Sequence, residues 1–199
     1  MAVGVNGLLT IAQIVGGILS GSLSLIADAL HNFSDAVSLI IALVARKIAR
    51  RPADDTMTFG YGRAEIVAAL INYTTLIVIG LYLVYEAILR FIEPQMIEGW
   101  LIVVIAGIAL VVDLVTAALT YAMSKNSVNI RAAFLHNVAD ALGSIAVIVA
   151  GSLILVYDWM IVDPIVTLMI AGYILWQSFR EIGPVIRLLM LGVPKDIDP

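Results

Sequence analysis

Charged residues fall in bunches along this chain, and long apolar stretches separate them. Residues 1–27 carry no charge, and neither do 66–85, 141–157 or 164–179. At about 1.5 Å of rise per residue, about 20 apolar residues in a helix cross a hydrocarbon core about 30 Å thick. The pattern predicts six helices, at roughly 3–22, 24–46, 64–90, 100–124, 130–157 and 163–188. In the second, fourth and fifth, single ionisable residues interrupt the apolar run where no turn residues do. The first stretch lacks the basic start of a signal peptide and leads directly into another span.

Composition sharpens this picture. Of 199 residues, 62% are apolar and 13% charged, well away from the balance of a soluble domain. The mean hydropathy is +1.06. A soluble enzyme, a disordered tail and a nucleic-acid binder are excluded, and a net charge of −4 offers phosphates no basic face. With no cysteine there is no disulfide, thiolate metal site or thiol nucleophile. The expected fold is an all-α membrane protein, a bundle of six transmembrane helices.

Basic residues orient it. Arg46, Lys47, Arg50, Arg51 and Arg63 flank the connection between helices two and three. Lys125 and Arg131 flank that between four and five, and Arg180, Arg187 and Lys195 lie toward the end of the sequence. With six spans all three regions share one side, which the positive-inside rule makes cytoplasmic, and both termini with it. The other side holds Arg90 among Glu86, Glu93, Glu98, Asp158 and Asp163.

One segment occurs twice. Leu30-His31-Asn32-Phe33-Ser34-Asp35-Ala36 recurs as Leu135-His136-Asn137-Val138-Ala139-Asp140-Ala141. Internal similarity of this kind often brackets a transporter's substrate site. By span counting, the two copies lie on antiparallel helices. Residues four apart are about 40° apart around a helix, so each His shares a face with its Asp. Two such faces in contact would supply two imidazoles and two carboxylates, a donor set suited to tetrahedral Zn²⁺. Mg²⁺ would want six oxygens and Cu(I) sulfur. Two carboxylates also neutralise a divalent ion, and intramembrane charge tends to mark an ion or proton pathway. The inference requires helices two and five to touch.

These residues carry a resemblance. Gly21-Ser22-Leu23-Ser24-Leu25-Ile26-Ala27-Asp28-Ala29-Leu30-His31, followed by Asp35, resembles the first signature of the cation diffusion facilitators, zinc-type metal/proton antiporters. Phe59-Gly60-Tyr61-Gly62-Arg63-Ala64-Glu65 with Ala68-Ala69-Leu70-Ile71-Asn72 is similar to that family's entry into the third helix. His136 to Asp140 and Asp163-Pro164 resemble its later blocks. The resemblance covers essentially the whole chain. It implies a transport site of His31, Asp35, His136 and Asp140, a preference for Zn²⁺ with Cd²⁺ or Co²⁺ possible, and a homodimer exporting metal in exchange for protons. It further implies that residues 1–193 are the transport domain and 194–199 begin a linker toward a cytoplasmic domain not contained in this sequence. A bacterial inner membrane is the expected location, since no long His-rich loop is present.

Two features depart from the family pattern or need a separate account. Relatives often carry a ligand for a second metal before the Phe-Gly-x-Gly motif. Here the stretch reads Asp54-Asp55-Thr56-Met57-Thr58, so Asp54 and Asp55 are a weak second metal site or, the reading favoured, a solvated loop end. Several further polar residues lie in or near the spans. Asp113 is either a proton relay or a hydrogen-bonding partner of a neighbouring helix. Asp28, one turn before His31, is placed to orient that imidazole. Asn32 and Asn137 read as interhelical hydrogen bonders and Glu65 as part of an ion-paired helix start with Arg63, a proton relay or support for the metal ligands being the other reading of all three.

Mechanism follows from coordination chemistry: metal and protons compete for the same imidazole and carboxylate atoms, and histidine titrates near neutrality. Two other classes compete with transport. An intramembrane metalloenzyme would want His-Glu-x-x-His or paired Glu-x-x-His motifs, and neither is present. A zinc-stapled structural bundle would bind the ion without passing it.

Overall fold

The computed structural model describes residues 2–124 and 128–192; Lys125, Lys195 and the linker expected over 194–199 lie outside the described residues. Six helices make up the fold: α1 (Ala2–Ser20), α2 (Leu23–Ala49), α3 (Ala64–Ile92), α4 (Gly99–Ser124), α5 (Val128–Tyr157) and α6 (Val162–Leu189). Each expected helix is present, with ends displaced by at most three residues. Five are long and apolar enough to cross a membrane; the remaining apolar helix, Gly7–Ser20, is shorter.

Short connections set the neighbours. Gly21 turns the chain between α1 and α2 at φ +72°, and a side chain there would run into the Met96 carbonyl. Ser22 then caps α2, its hydroxyl accepting from the Leu25 N–H. α1 packs on α2, α4 on α5 and α3 on α6, while α2 also meets α3, α5 and α6. The α4–α5 pair is close because Gly99 meets Gly151: a Cβ on Gly99 would lie 2.6 Å from the Gly151 carbonyl. In a bilayer, where apolar burial drives little association, such close backbone approach is what packing relies on.

Helix α2 is shared between two apolar clusters. Leu25 packs with Ile102, Ala106, Val147, Ala150 and Ile154 of α4 and α5. Leu23 and Ala27 pack with Leu83, Ala87 and Ala171 of α3 and α6. The outer surface is rich in exposed Leu, Ile and Val, such as Ile18, Leu43, Leu119 and Leu142, as lipid contact requires.

A polar node ties one end of the bundle. Asp163, in the first turn of α6, is fully buried. Its Oδ1 accepts from the Ser22 and Ser24 hydroxyls, both at 2.6 Å, and from the Ser24 N–H. Its Oδ2 accepts from the Leu23 N–H at 2.8 Å and faces Arg90 Nη1 at 3.5 Å. Arg90 also donates to the Gly21 carbonyl. One carboxylate thus satisfies orphan donors at the start of α2 and holds the ends of α3 and α6 to it.

Candidate metal site

The α2–α5 contact is short, and it brings the repeated motifs face to face. His31 Nε2 lies 3.7 Å from Asp35 Oδ2 on its own helix and 3.6 Å from Asp140 Oδ1 on α5. His136 Nε2 lies 3.2 Å from Asp35 Oδ2 and 3.5 Å from Asp140 Oδ2. Ligand atoms about 2.0 Å from a tetrahedral ion are about 3.3 Å apart, so these four His–Asp spacings are near that length, while the group whose donor atoms all close on one another leaves out His136. Donor atoms of His31, Asp35 and Asp140 all lie within 4.8 Å of one another. The imidazole rings of His31 and His136 stand edge to face, 6.0 Å between centroids.

The site has donor atoms to spare. His31 Nδ1, Asp35 Oδ2 and Asp140 Oδ1 are buried without a hydrogen-bond partner. Unpartnered buried polar atoms are costly; Asp35 Oδ2 and Asp140 Oδ1 face the site and are what a cation would satisfy, whereas His31 Nδ1 is on the ring edge away from the Nε2 that meets them. Tyr173 of α6 closes one side, its ring edge-on to His31 at 6.1 Å. Sequence pattern gave no hint of it, because a tyrosine in an apolar helix shows its neighbour only when α6 is placed.

The surrounding polar residues fall differently from some expectations. Asp28 does not orient His31. Its Oδ2 accepts from Gln13 Nε2 at 2.7 Å, leaving the imidazole Nδ1 alone. A spacing of three turns Asp28 toward α1 and toward Gly143 of α5, where any Cβ would sit 3.2 Å from Asp28 Oδ1. Asn32 bonds Gln13 as well, at 3.5 Å, and Asn137 donates to Thr120 of α4 at 3.2 Å, the interhelical roles expected of both. Asp113 Oδ2 accepts from Ser144 of α5 at 2.9 Å, so it has the neighbouring-helix partner of its second reading. Gln13 and Gly143 were missed; an amide within an apolar span was the available signal for the former.

Outside the spans, two acidic residues are accounted for locally. Asp54 Oδ1 accepts from the Thr56 N–H, the Thr56 hydroxyl and the Met57 N–H, and Oδ2 from the Tyr61 hydroxyl. These bonds hold its carboxyl well below the usual carboxylate range, the Thr56 and Tyr61 hydroxyls contributing most. The geometry is that of a turn, and Asp55 beside it is exposed. Glu65 forms no ion pair with Arg63, correcting that expectation: residues two apart point about 200° apart around a helix.

A bundle with five membrane-length helices, in which two His-x-x-x-Asp faces meet, defines a class, that of polytopic membrane proteins, and its donor set is one suited to metal ions. The sequence model of the cation efflux transmembrane domain matches residues 1–190, and the chain belongs to that family, one of transporters and not of enzymes. It is 40% identical over 190 residues to a protein of Bacillus subtilis named "Cadmium, cobalt and zinc/H(+)-K(+) antiporter", covering 94% of this chain and 61% of that one. It is 37% identical to the "Metal cation efflux system protein CzcD" of Cupriavidus metallidurans, over 100% of this chain and 63% of the relative. Identity to the "Zinc transporter ZitB" of Escherichia coli is 35%, over 99% and 63%. The chain thus spans about three-fifths of the length of these relatives.

Proposed function

We propose that this protein exports cytoplasmic Zn²⁺, with Cd²⁺ and Co²⁺ as further substrates, in exchange for external protons. The observation that carries this is the convergence of His31 and Asp35 with His136 and Asp140, all four spacings between 3.2 and 3.7 Å. The donor set suits Zn²⁺, and the names of the relatives, which cite zinc, cadmium and cobalt, support the same cargo.

On this reading the cation is substrate and the four side chains are its carriers. In the inward-facing state Zn²⁺ enters from the side of the α2–α3 connection and displaces protons from imidazole and carboxyl groups. In the outward-facing state protons from a more acidic exterior occupy the same atoms and the metal leaves. The two states must differ in which end of the bundle reaches the site. Asp113 and Asp28, each bonded to one neutral partner, are available to pass protons. Residues 1–193 form the transport domain, both termini are cytoplasmic, the active form is a homodimer, and the location is a bacterial inner membrane.

Zinc flux into proteoliposomes under an imposed pH gradient tests this. Wild type is expected to carry gradient-dependent flux, and His136→Ala and Asp140→Ala to lose it by at least about a hundredfold, as when ligands acting as a unit are removed. Stoichiometric Zn²⁺ binding without flux would instead favour the structural bundle.

A further inference from the structure

Two contiguous cavities run from the His/Asp cage along the α2–α3–α6 seam. The inner one, about 210 Å³, begins at His31 and Asp35 and reaches Ser38, Asn72, Gln177 and Ser178. The next, about 240 Å³, shares Ser38, Asn72 and Tyr73 with it and ends at Glu65, at the start of α3. Liquid water takes about 30 Å³ per molecule, so each has room for an ion with part of its hydration shell.

The lining of the inner cavity is unusual for a membrane span. Ser178 is 1% exposed, and its Oγ has no hydrogen-bond partner. A buried hydroxyl in a helix ordinarily bonds a carbonyl one turn back, as Ser38, Thr116 and Ser152 do here. Across the cavity the single hydroxyl hydrogen of Ser38 is shared between the Ser34 carbonyl and Asn72 Oδ1, holding that amide in place. Neutral oxygens in this arrangement can replace water on a cation without holding it tightly, the condition for a site that passes an ion onward.

Resting on the transport reading above, we propose that Asn72 and Ser178 form a second, transient cation site, an all-oxygen station where a hydrated divalent ion sheds water before reaching His31 and Asp35. Glu65 draws the ion to the mouth of the route. The ligand class is a partly hydrated divalent cation.

Ser178→Ala removes a hydroxyl that bonds nothing, so the fold is retained. In proteoliposomes with Zn²⁺ its KM is expected to rise about tenfold while kcat and equilibrium zinc stoichiometry stay unchanged, and Asn72→Ala to act likewise. Wild-type kinetics in both variants would overturn the station. A second measurement uses the absence of native cysteine. In Ser178→Cys combined with His136→Ala, Zn²⁺ is expected to slow labelling of the single thiol by a cationic thiol reagent. Labelling unaffected by Zn²⁺ would also overturn the proposal. If wild type carries no flux yet zinc still protects the thiol, the transport reading fails and the oxygen site stands as a binding site alone.

Discussion

Two of the places in this bundle that bury carboxylate oxygens are built on opposite terms. At the node, both oxygens of Asp163 are taken up by protein donors: Ser22, Ser24, the Leu23 N–H and Arg90. In the cage, Asp35 Oδ2 and Asp140 Oδ1 are buried with no hydrogen bond and face only imidazole nitrogens, at 3.2 and 3.6 Å. Both arrangements desolvate charge, which is expensive unless compensated. The node has its compensation built in and is a joint. The cage has converging acceptors and too few donors, so its compensation must come from outside as metal or protons. Counting partners, more than noting burial, separates a structural charge from a functional one.

The sharpest way to break this comparison is to neutralise one carboxylate in each place. Asp163→Asn would turn amide hydrogens toward donors and strand Arg90, and loss of one partner of a buried pair costs about 3–5 kcal/mol. The expected result is a large drop in thermal stability in detergent. Asp140→Asn relieves a surplus of acceptors, so its stability should stay within about 1 kcal/mol of wild type while zinc flux is lost. A matching stability loss in Asp140→Asn would sink the distinction.

Zinc itself should act on one region only. At a hundredfold excess over Kd the ion is expected to stabilise wild type by about 2.7 kcal/mol and Asp140→Asn hardly at all. A thermal melt with and without Zn²⁺ reads this directly; equal shifts in both would place the ion elsewhere. A smaller effect is expected at the edge of the cage. Gln13→Leu leaves the buried Asp28 without its donor, at a cost of about 1–3 kcal/mol, measurable by the same melt. No change would mean that Asp28 finds another partner.

The smallest effect lies in the loop. Hydrogen bonding lowers the Asp54 carboxyl in the folded turn, so the stability it contributes is present above the ordinary carboxylate range. It is lost only as pH falls through the lowered folded value. Hydrogen exchange of residues 54–61 in wild type should therefore stay slow down through pH 4, whereas Asp54→Ala should exchange faster throughout that range. Identical exchange in the two would show that the turn holds without its carboxylate.

Much of the fold was legible because its causes are local. Apolar runs mark each helix, five of them long enough for a bilayer, and Gly21-Ser22 marks the first turn and cap. Half of the candidate site was legible for the same reason. A spacing of four aligns His31 with Asp35 and His136 with Asp140 whatever the rest of the chain does. The errors lay where a partner had to come from another helix. Asp28 looked like a companion of His31 because both sit on α2, yet Gln13 of α1 takes its carboxylate. Asp163 read as a motif residue opening a helix, and its role as the joint between α2, α3 and α6 had no local trace.

By itself, then, the amino-acid sequence determined the number of helices, the bilayer length of five of them and the two His/Asp faces, since helical periodicity and hydropathy act over neighbouring residues. Tertiary structure alone decided that α2 lies against α5, that Tyr173 and Ser178 of α6 border the cage and its approach, and that Asp163 is satisfied while Asp140 is not. Those outcomes depend on where small residues such as Gly99 and Gly151 let backbones close, and on which donors the resulting packing brings within hydrogen-bond reach.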